Sequence, residues 1–285
     1  MIRARSFGPG GPSVPAIGQG TWNVPERGAA RDEAKRALRR GIELGLTHID
    51  TAEMYGSGEA ERIVGESIVG VPRESLFIVS KVLPSNATKS GTVQACEASL
   101  KRMKLDYLDC YLLHWPGNTP IAETLAAMAS LRQAGKIRSF GLSNFDVDEW
   151  NEARAALPAG ERLACNQLLY HLGERSVEAY EEPQLVADGA ALVAYTPFGR
   201  GTAEKSQSGV AVLERIARDR DVSASAVILA FLTRESNAFA IPKAASVAHV
   251  EENARAGALE LDPTDIAAIA TAYPVRARRG GLPTL

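Results

Sequence analysis

Residues 47–56 organise the chain, and they read Thr47-His48-Ile49-Asp50-Thr51-Ala52-Glu53-Met54-Tyr55-Gly56. A short apolar run ends in the carboxylate of Asp50, and Tyr55 follows five residues later beside a glycine. This pattern predicts a strand that carries Asp50 to its C-terminal end and a tight loop that holds Tyr55. A tyrosine hydroxyl has a pKa of about 10. It becomes a useful proton donor at neutral pH when a nearby cation stabilises the phenolate.

Two later strand ends supply groups of the required kind. Lys81 lies near the end of the apolar run 77–82, and His114 follows the run that ends at residue 113. Neighbouring strands lie about 5 Å apart, so their C-terminal ends can bring these side chains to Asp50 and Tyr55. We expect Asp50 to pair with Lys81, the ammonium group to lower the pKa of Tyr55, and His114 to orient a substrate oxygen.

Each of these residues alone also has an ordinary structural explanation. An aspartate at a strand end is often a turn residue, a single lysine is usually a solvated surface charge, and His114 could be a buried core group. Their positions after three consecutive strands favour a catalytic set. His48 lies inside a strand and is predicted to be structural.

Composition bounds the remaining possibilities. The chain has 285 residues, 45% hydrophobic and 23% charged, with a net charge of −2, the balance of a soluble globular protein without a basic surface for nucleic acid or anionic membranes. The three cysteines are far apart and form no C-x-x-C motif, so neither a disulfide framework nor a metal site is predicted. No apolar run reaches the roughly 18 residues of a membrane span. No signal peptide is recognised, so we expect a cytoplasmic protein. We also expect a monomer.

Strands and amphipathic helices alternate along the whole sequence. Eight strand–helix pairs with short connections predict an α/β fold, a (β/α)8 barrel that forms one domain over residues 1–285. One of the helices is predicted at 177–187 and a long loop at 198–208. Residues 1–13 are expected to form a short hairpin or cover, and residues 276–285 a mobile tail. A doubly wound sheet would need a G-x-G-x-x-G turn after the first strand, which the early glycines do not provide.

Several short motifs in this order resemble the aldo-keto reductase family over nearly the whole chain. They are Gly20-Thr21-Trp22, His48-Ile49-Asp50-Thr51-Ala52, Lys81-Val82, Leu113-His114-Trp115-Pro116, Gly141-Leu142-Ser143-Asn144-Phe145, Asn166-Gln167, Tyr195-Thr196-Pro197 and Ile241-Pro242-Lys243. Within the family, the sequence is most similar to small bacterial reductases of 2-oxoaldehydes and simple aldehydes.

The resemblance implies Asp50, Tyr55, Lys81 and His114 as catalytic residues and NADPH as cofactor. Ser143, Asn144 and Gln167 are expected at the carboxamide, Tyr195 at the nicotinamide ring, the loop 196–201 at the pyrophosphate, Lys243 and Ser246 at the 2′-phosphate, and Glu252 and Asn253 at the adenine. The full implied cofactor set is Gly20, Thr21, Trp22, Asp50, Ser143, Asn144, Gln167, Tyr195, Thr196, Pro197, Phe198, Gly199, Arg200, Gly201, Ile241, Pro242, Lys243, Ala244, Ser246, His249, Glu252 and Asn253.

Two departures from the family pattern affect these expectations. Ala244 replaces a serine or threonine, and His249 replaces an arginine that would pair with phosphate through two hydrogen bonds. We therefore expect a smaller preference for NADPH over NADH, with NADH tolerated. The chain also ends soon after Tyr273, so the pocket should be shallow and suited to small carbonyls. Its expected lining is Trp22, Tyr55, His114, Trp115 and Phe145, with Arg276 or Arg279 at the rim.

The sequence thus favours NADPH-dependent reduction of aldehydes or activated ketones, including 2-oxoaldehydes such as methylglyoxal, with Tyr55 as general acid. Two alternatives stay open. One is a non-catalytic or slow cofactor-sensing module on the same barrel. The other is a Schiff-base aldolase with Lys81 as nucleophile. The expected partner is a small-molecule carbonyl, with no nucleic acid, membrane or metal.

Overall fold

The computed structural model describes residues 2–201, 207–278 and 280–285. Its centre is an eight-stranded parallel sheet. The order of the strands across the sheet is the same as their order along the chain. The strands are β3 (Gln19–Gly20), β4 (His48–Asp50), β5 (Phe77–Val82), β6 (Leu108–Leu113), β7 (Ile137–Ser143), β8 (Cys165–Leu169), β9 (Ala191–Tyr195) and β10 (Ala238–Ala240). Before them, β1 (Ala4–Ser6) and β2 (Ser13–Pro15) form an antiparallel hairpin.

The first and last strands of the sheet meet and close it into a barrel. Parallel bridges join Ile17 to Ala240 and Gly20 to Lys243. The Gly18 amide donates to the Ala240 carbonyl at 2.8 Å. A Cβ on Gly20 would lie 2.6 Å from the Ile241 carbonyl oxygen, so closure at this point requires a glycine. The predicted (β/α)8 barrel is confirmed.

Ten α-helices connect the described strands or follow them. They are α1 (Gly28–Glu43), α2 (Glu59–Ser67), α3 (Lys89–Met103), α4 (Ile121–Gln133), α5 (Val147–Ala155), α6 (Glu182–Asp188), α7 (Gln207–Asp219), α8 (Ala224–Leu232), α9 (Val247–Ala256) and α10 (Pro263–Ala272). Among the helices described, none is long and apolar enough to cross a membrane.

Two predictions about local structure need correction or restriction. The single helix predicted at 177–187 is a 3-10 turn, Ser176–Glu178, followed by α6. Pro183 explains the break, because it lacks an amide hydrogen and fits the first turn of a helix rather than its interior. The loop predicted at 198–208 lies partly outside the described residues. Its described beginning is a 3-10 turn, Gly199–Gly201.

Strand alternation decides which side chains face the barrel interior. Phe77 and Val79 of β5 belong to the interior apolar cluster, whereas Ile78 belongs to the layer between strands and helices. Successive side chains of a strand point to opposite faces, so Lys81 shares the interior face with Phe77 and Val79. The same alternation places His48 and Asp50 on one face of β4.

The hairpin closes the N-terminal end of this interior. Phe7 lies 4.6 Å from Phe77 and 5.0 Å from Phe239, measured between ring centroids. The edge of the fully buried His48 ring packs against all three aromatic rings. The described residues 2–13 of the predicted segment therefore contribute to a cover, as expected, although the hairpin extends to Pro15. A group of buried charged and polar residues lies at the opposite end of the barrel, where Asp50, Lys81 and His114 are at or next to the C-terminal ends of their strands.

Candidate active site

A cavity of about 560 Å³ opens at the C-terminal ends of the barrel strands. This is the end at which barrel enzymes carry their active sites. The cavity is lined by Gly20, Trp22, Asp50, Met54, Tyr55, His114, Trp115, Pro116, Ser143, Asn144, Gln167, Tyr195, Thr196, Ile241, Lys243, Thr284 and Leu285.

Lys81 joins the residues below the cavity into one hydrogen-bonded group. Its Nζ donates to Asp50 Oδ2 at 2.6 Å, to the Thr51 carbonyl at 3.0 Å and to the Tyr55 hydroxyl at 3.1 Å. An ammonium group has three hydrogens to donate, and all three have acceptors here. The side chain is fully buried, so no solvent competes for these contacts.

Asp50 is held on both of its oxygens. Oδ2 accepts from Lys81, and Oδ1 accepts from Gln167 Nε2 at 2.8 Å. Gln167 is on β8, across the barrel from β4, so this bond fixes the carboxylate from the opposite wall. A buried carboxylate is stable as an anion only with such partners.

Burial dominates the titration of Tyr55. It raises the pKa of the Tyr55 hydroxyl, and the positive charge and hydrogen bond of Lys81, which act in the other direction, do not reverse that shift. The expected net lowering of the Tyr55 pKa is therefore wrong. Burial in the folded barrel destabilises the phenolate more than Lys81 stabilises it, and burial cannot be read from the local sequence. Tyr55 is consequently neutral and keeps its proton, and the nearby ammonium group can stabilise a phenolate formed during a reaction.

Lys81 is protonated in this environment. Burial by itself lowers the pKa of the Lys81 amine, but the Asp50 carboxylate and the Tyr55 oxygen raise it, and the net direction is upward. A Schiff-base nucleophile must be an uncharged amine with access to substrate. Lys81 has neither property, which argues against the aldolase alternative.

His114 stands beside Tyr55 as an uncharged ring. On β6, Leu112 faces the barrel interior, and alternation carries that face to His114. The centroid of the imidazole lies 5.7 Å from the Tyr55 ring centroid, and its Nδ1 has no hydrogen-bond partner among the described residues. Burial first, and then the charge of Lys81, lowers the pKa of His114 to about 2. It can therefore hydrogen-bond a substrate oxygen but cannot deliver a proton as an imidazolium.

The depressed histidine pKa values predict acid sensitivity. Burial first, and the Lys81 charge second, lowers the pKa of His48 to about 3, close to the value for His114. An unfolded histidine protonates near pH 6.5, so below about pH 6.5 the unfolded state binds more protons and stability falls as pH falls. We expect each ring to remove about 1.4 kcal/mol of unfolding free energy per pH unit between roughly pH 6 and pH 4. Urea denaturation across this range measures the loss. Assigned imidazole NMR signals of His48 and His114 that titrate near pH 6.5 in the folded protein would contradict the prediction.

A second polar group lines the opposite wall of the cavity. Ser143 Oγ donates to the Gln167 carbonyl at 3.0 Å, and Asn144 Nδ2 donates to the His114 carbonyl at 3.1 Å. The Tyr195 hydroxyl donates to Asn144 Oδ1 at 2.8 Å. Asn144 has a φ of 61°, in the left-handed region that most side chains avoid. Such strained residues are concentrated at functional sites, because the surrounding structure must hold them in place.

Residues 16–274 match the family model described as the aldo/keto reductase family. The chain belongs to the aldo/keto reductase family. This agrees with the resemblance seen in the sequence motifs and makes the chain an oxidoreductase by family.

Individual relatives of this aldo/keto reductase narrow the comparison. Methylglyoxal reductase YeaE of Escherichia coli is 46% identical over 265 residues, which cover 92% of both chains. Glyoxal reductase of Bacillus subtilis is 34% identical over 258 residues, 90% of this chain and 88% of its own. The crystal structure of an aldo/keto reductase from Klebsiella pneumoniae in complex with NADP and acetate superposes with a TM-score of 0.93, at 39% identity and 100% coverage of both chains.

Most of the predicted catalytic and nicotinamide residues converge at the cavity of this aldo/keto reductase. Thr21 lies just beneath it, where its Oγ1 donates to the Asp50 carbonyl at 3.0 Å. Arg200 of the 3-10 turn that ends at Gly201 stacks over Trp22, with its guanidinium carbon 4.8 Å from the ring. The other predicted cofactor residues do not line the cavity and lie in the segments after β9 and β10 or in α9. They are Pro197, Phe198, Gly199, Pro242, Ala244, Ser246, His249, Glu252 and Asn253.

The predicted rim and pocket need correction at two residues. Phe145 is buried in the apolar layer between strands and helices and does not line the cavity. Arg276 is exposed and does not line it either, and Arg279 lies outside the described residues. The lining residues that the sequence interpretation missed are Met54, Pro116, Thr284 and Leu285. Met54 and Pro116 adjoin predicted site residues, and that position was the available signal.

The described part of the C-terminal tail contacts both Glu181 and the cavity. Arg278 Nη1 donates to Glu181 Oε1 at 2.8 Å, and its guanidinium carbon lies 4.5 Å from the Tyr180 ring centroid. Thr284 and Leu285 then form part of the cavity wall. The tail that the sequence predicts to be mobile thus contacts a buried carboxylate and the cavity.

Proposed function

We propose that the protein reduces aldehydes and activated ketones with NADPH, and that 2-oxoaldehydes such as methylglyoxal are among its substrates. The observation that carries the proposal is the Asp50–Lys81–Tyr55 chain, which ends at a tyrosine hydroxyl in the cavity wall. The names of two relatives, methylglyoxal reductase and glyoxal reductase, support the substrate class.

The cavity fits a nicotinamide cofactor by the chemistry of its lining. Ser143, Asn144 and Gln167 place hydroxyl and amide groups together on one wall, as a carboxamide requires, and Tyr195 offers an aromatic ring beside them. Thr196, with a φ of 53°, begins the loop proposed to follow the pyrophosphate. The Klebsiella aldo/keto reductase crystallised with NADP supports this assignment.

The adenosine end of the cofactor is proposed to lie beyond β10. Lys243 lines the cavity, is exposed, and has no salt bridge or side-chain hydrogen bond to any described residue. A lysine ammonium without a partner is suited to a phosphate. With Ser246 it would meet the 2′-phosphate, and Glu252 and Asn253 of α9 would meet the adenine.

Bound NADPH supplies a hydride to the carbonyl carbon. Tyr55 donates its proton to the carbonyl oxygen, and Lys81, 3.1 Å from the hydroxyl, stabilises the phenolate that results. Asp50 keeps Lys81 protonated and in place. His114, uncharged and on the same wall, orients the carbonyl oxygen by a hydrogen bond.

The substrate side of the cavity is mostly apolar. Trp22, Met54, Trp115 and Leu285 line it. Among the described lining residues, the charged side chains are Asp50, which is paired with Lys81, and Lys243, which is assigned to the cofactor. A neutral carbonyl therefore fits better than an anionic one, because a carboxylate would lose hydration without gaining a partner. Methylglyoxal should be reduced with a higher kcat/KM than glyoxylate. The reverse order, measured by NADPH oxidation, would refute this substrate class.

The cofactor-sensing alternative shares the fold and the cofactor site. It differs in its kinetics, because a sensor retains its cofactor and turns over slowly. NADPH that stays bound and unoxidised with every small aldehyde tested would favour it.

Replacing Lys243 by alanine tests the 2′-phosphate assignment. We expect the Kd for NADPH to rise about tenfold or more, with the Kd for NADH changed less than about twofold, because only NADPH carries the phosphate. Lys101→Ala removes the same charge from an exposed position on α3 and is the matched control. Equal weakening of both dinucleotides in the Lys243 variant would refute the assignment.

A further inference from the structure

The N-terminus of α9 is already occupied by acceptors from the chain itself. The Val247 amide donates to Glu33 Oε1 at 3.3 Å, and the His249 amide donates to the side chain of the N-cap residue Ser246 at 3.4 Å. Glu33 belongs to α1, so this contact joins two helices that are far apart in sequence. The free amide groups of a helix N-terminus attract anions, and here a carboxylate takes one of them.

Arg36 holds the Glu33 carboxylate in this position. Arg36 donates to Glu33 Oε2 through Nη2 at 2.6 Å and Nε at 3.1 Å, and the other oxygen faces Val247. The Arg36 hydrogen bonds first, and the Val247 amide second, lower the pKa of Glu33. Glu33 is therefore ionised at neutral pH, and its carboxylate, paired with Arg36, lies at the start of α9.

The Glu33 carboxylate lies beside the segment, residues 243–246, that is proposed to bind the 2′-phosphate. Lys243 lies three residues before Ser246, and Val247 is the residue directly after Ser246. A phosphate bound by Lys243 and Ser246 would share the start of α9 with the Glu33 carboxylate, and the repulsion between these like charges is reduced but not removed by the pairing of Glu33 with Arg36. A ribose 2′-hydroxyl could instead donate a hydrogen bond to the Glu33 carboxylate, as it does to the acidic residue of dinucleotide-binding folds that select NAD.

We propose that Glu33 is a specificity-determining residue of the cofactor site, and that it narrows the preference for the 2′-phosphorylated dinucleotide. The inference rests on the proposed function, since it needs a dinucleotide at this site. Together with His249, which cannot pair with phosphate as arginine does, Glu33 gives the site its tolerance for a 2′-hydroxyl.

The test is Glu33→Gln, with the binding of NADP⁺ and NAD⁺ measured by calorimetry rather than by turnover. Glutamine keeps the size of the side chain, and the side chain is partly exposed, so folding should be retained. We expect the ratio of the Kd for NAD⁺ to the Kd for NADP⁺ to rise about tenfold, because like-charge repulsion is removed only for the phosphate.

Two matched variants separate this role from general effects. Glu251→Gln removes the same charge from α9, where Glu251 pairs with Arg40, and should change the ratio less than about twofold. Arg36→Gln leaves the carboxylate in place and should not shift the ratio towards NADP⁺.

The outcomes distinguish the inference from the function beneath it. A wild-type protein that binds NADP⁺, with an unchanged ratio in Glu33→Gln, would overturn the role of Glu33 alone. An equal increase in Glu251→Gln or Arg36→Gln would overturn it as well, because bulk charge or disturbance of α1 would then explain the shift. A wild-type protein that binds neither dinucleotide would overturn the proposed function and this inference with it.

Discussion

Replacing Tyr55 by phenylalanine is expected to lower kcat by about a thousandfold while leaving the Kd for NADPH within about twofold of the wild-type value. Phenylalanine keeps the ring and removes only the hydroxyl that Lys81 contacts at 3.1 Å. That hydroxyl donates its proton as the carbonyl oxygen becomes an alcohol. Its loss therefore removes stabilisation of the transition state and leaves binding of the cofactor almost unchanged. Steady-state NADPH oxidation and fluorescence titration measure the two quantities.

Tyr195→Phe is the matched control, because Tyr195 is also a tyrosine of the cavity wall and its hydroxyl also makes a hydrogen bond, to Asn144. We expect its kcat to fall by less than about tenfold. Similar losses of kcat in the two variants would mean that the Tyr55 hydroxyl stabilises the structure of the cavity and does not donate the proton.

Replacing Lys81 by methionine is expected to lower both activity and stability. Methionine leaves Asp50 as a buried carboxylate without its cation, and removing one partner of a buried pair costs about 3–5 kcal/mol of unfolding free energy. The expected loss of kcat is about a thousandfold, since the phenolate of Tyr55 loses its stabilising charge. Urea denaturation and NADPH oxidation measure the two effects.

The double variant Asp50→Asn/Lys81→Met separates these effects. Its buried pair is neutral, so most of the lost stability should return, whereas activity should stay low because no cation faces Tyr55. Recovery of activity together with stability would show that Lys81 acts through the fold and not on the tyrosine.

Much of this architecture is readable from local sequence patterns. The barrel is predictable because strands and helices alternate along the whole chain with short connections, a pattern that each segment carries in its own sequence. The catalytic group is predictable for a related reason. Strand alternation and the common end of parallel strands decide where Asp50, Lys81 and His114 point before any tertiary contact is known.

Other features depend on contacts between distant parts of the chain. The pKa of Tyr55 is raised because the folded barrel desolvates it, and burial by tertiary structure leaves no local pattern. Phe145 directly follows the cavity residue Asn144, yet its side chain packs into the outer apolar layer. The contact of Glu33 with Val247 spans 214 residues, so nothing near either residue indicates it.

The most direct test of Tyr55-dependent carbonyl reduction is a single turnover. Protein in excess over NADPH is mixed with methylglyoxal, and loss of the reduced nicotinamide is followed in the wild type and in Tyr55→Phe. Tryptophan fluorescence first establishes that both proteins hold the cofactor. We expect NADPH to be consumed rapidly by the wild type and to persist in the variant. Equal consumption by both proteins, or bound NADPH that persists in the wild type, would contradict the proposed function.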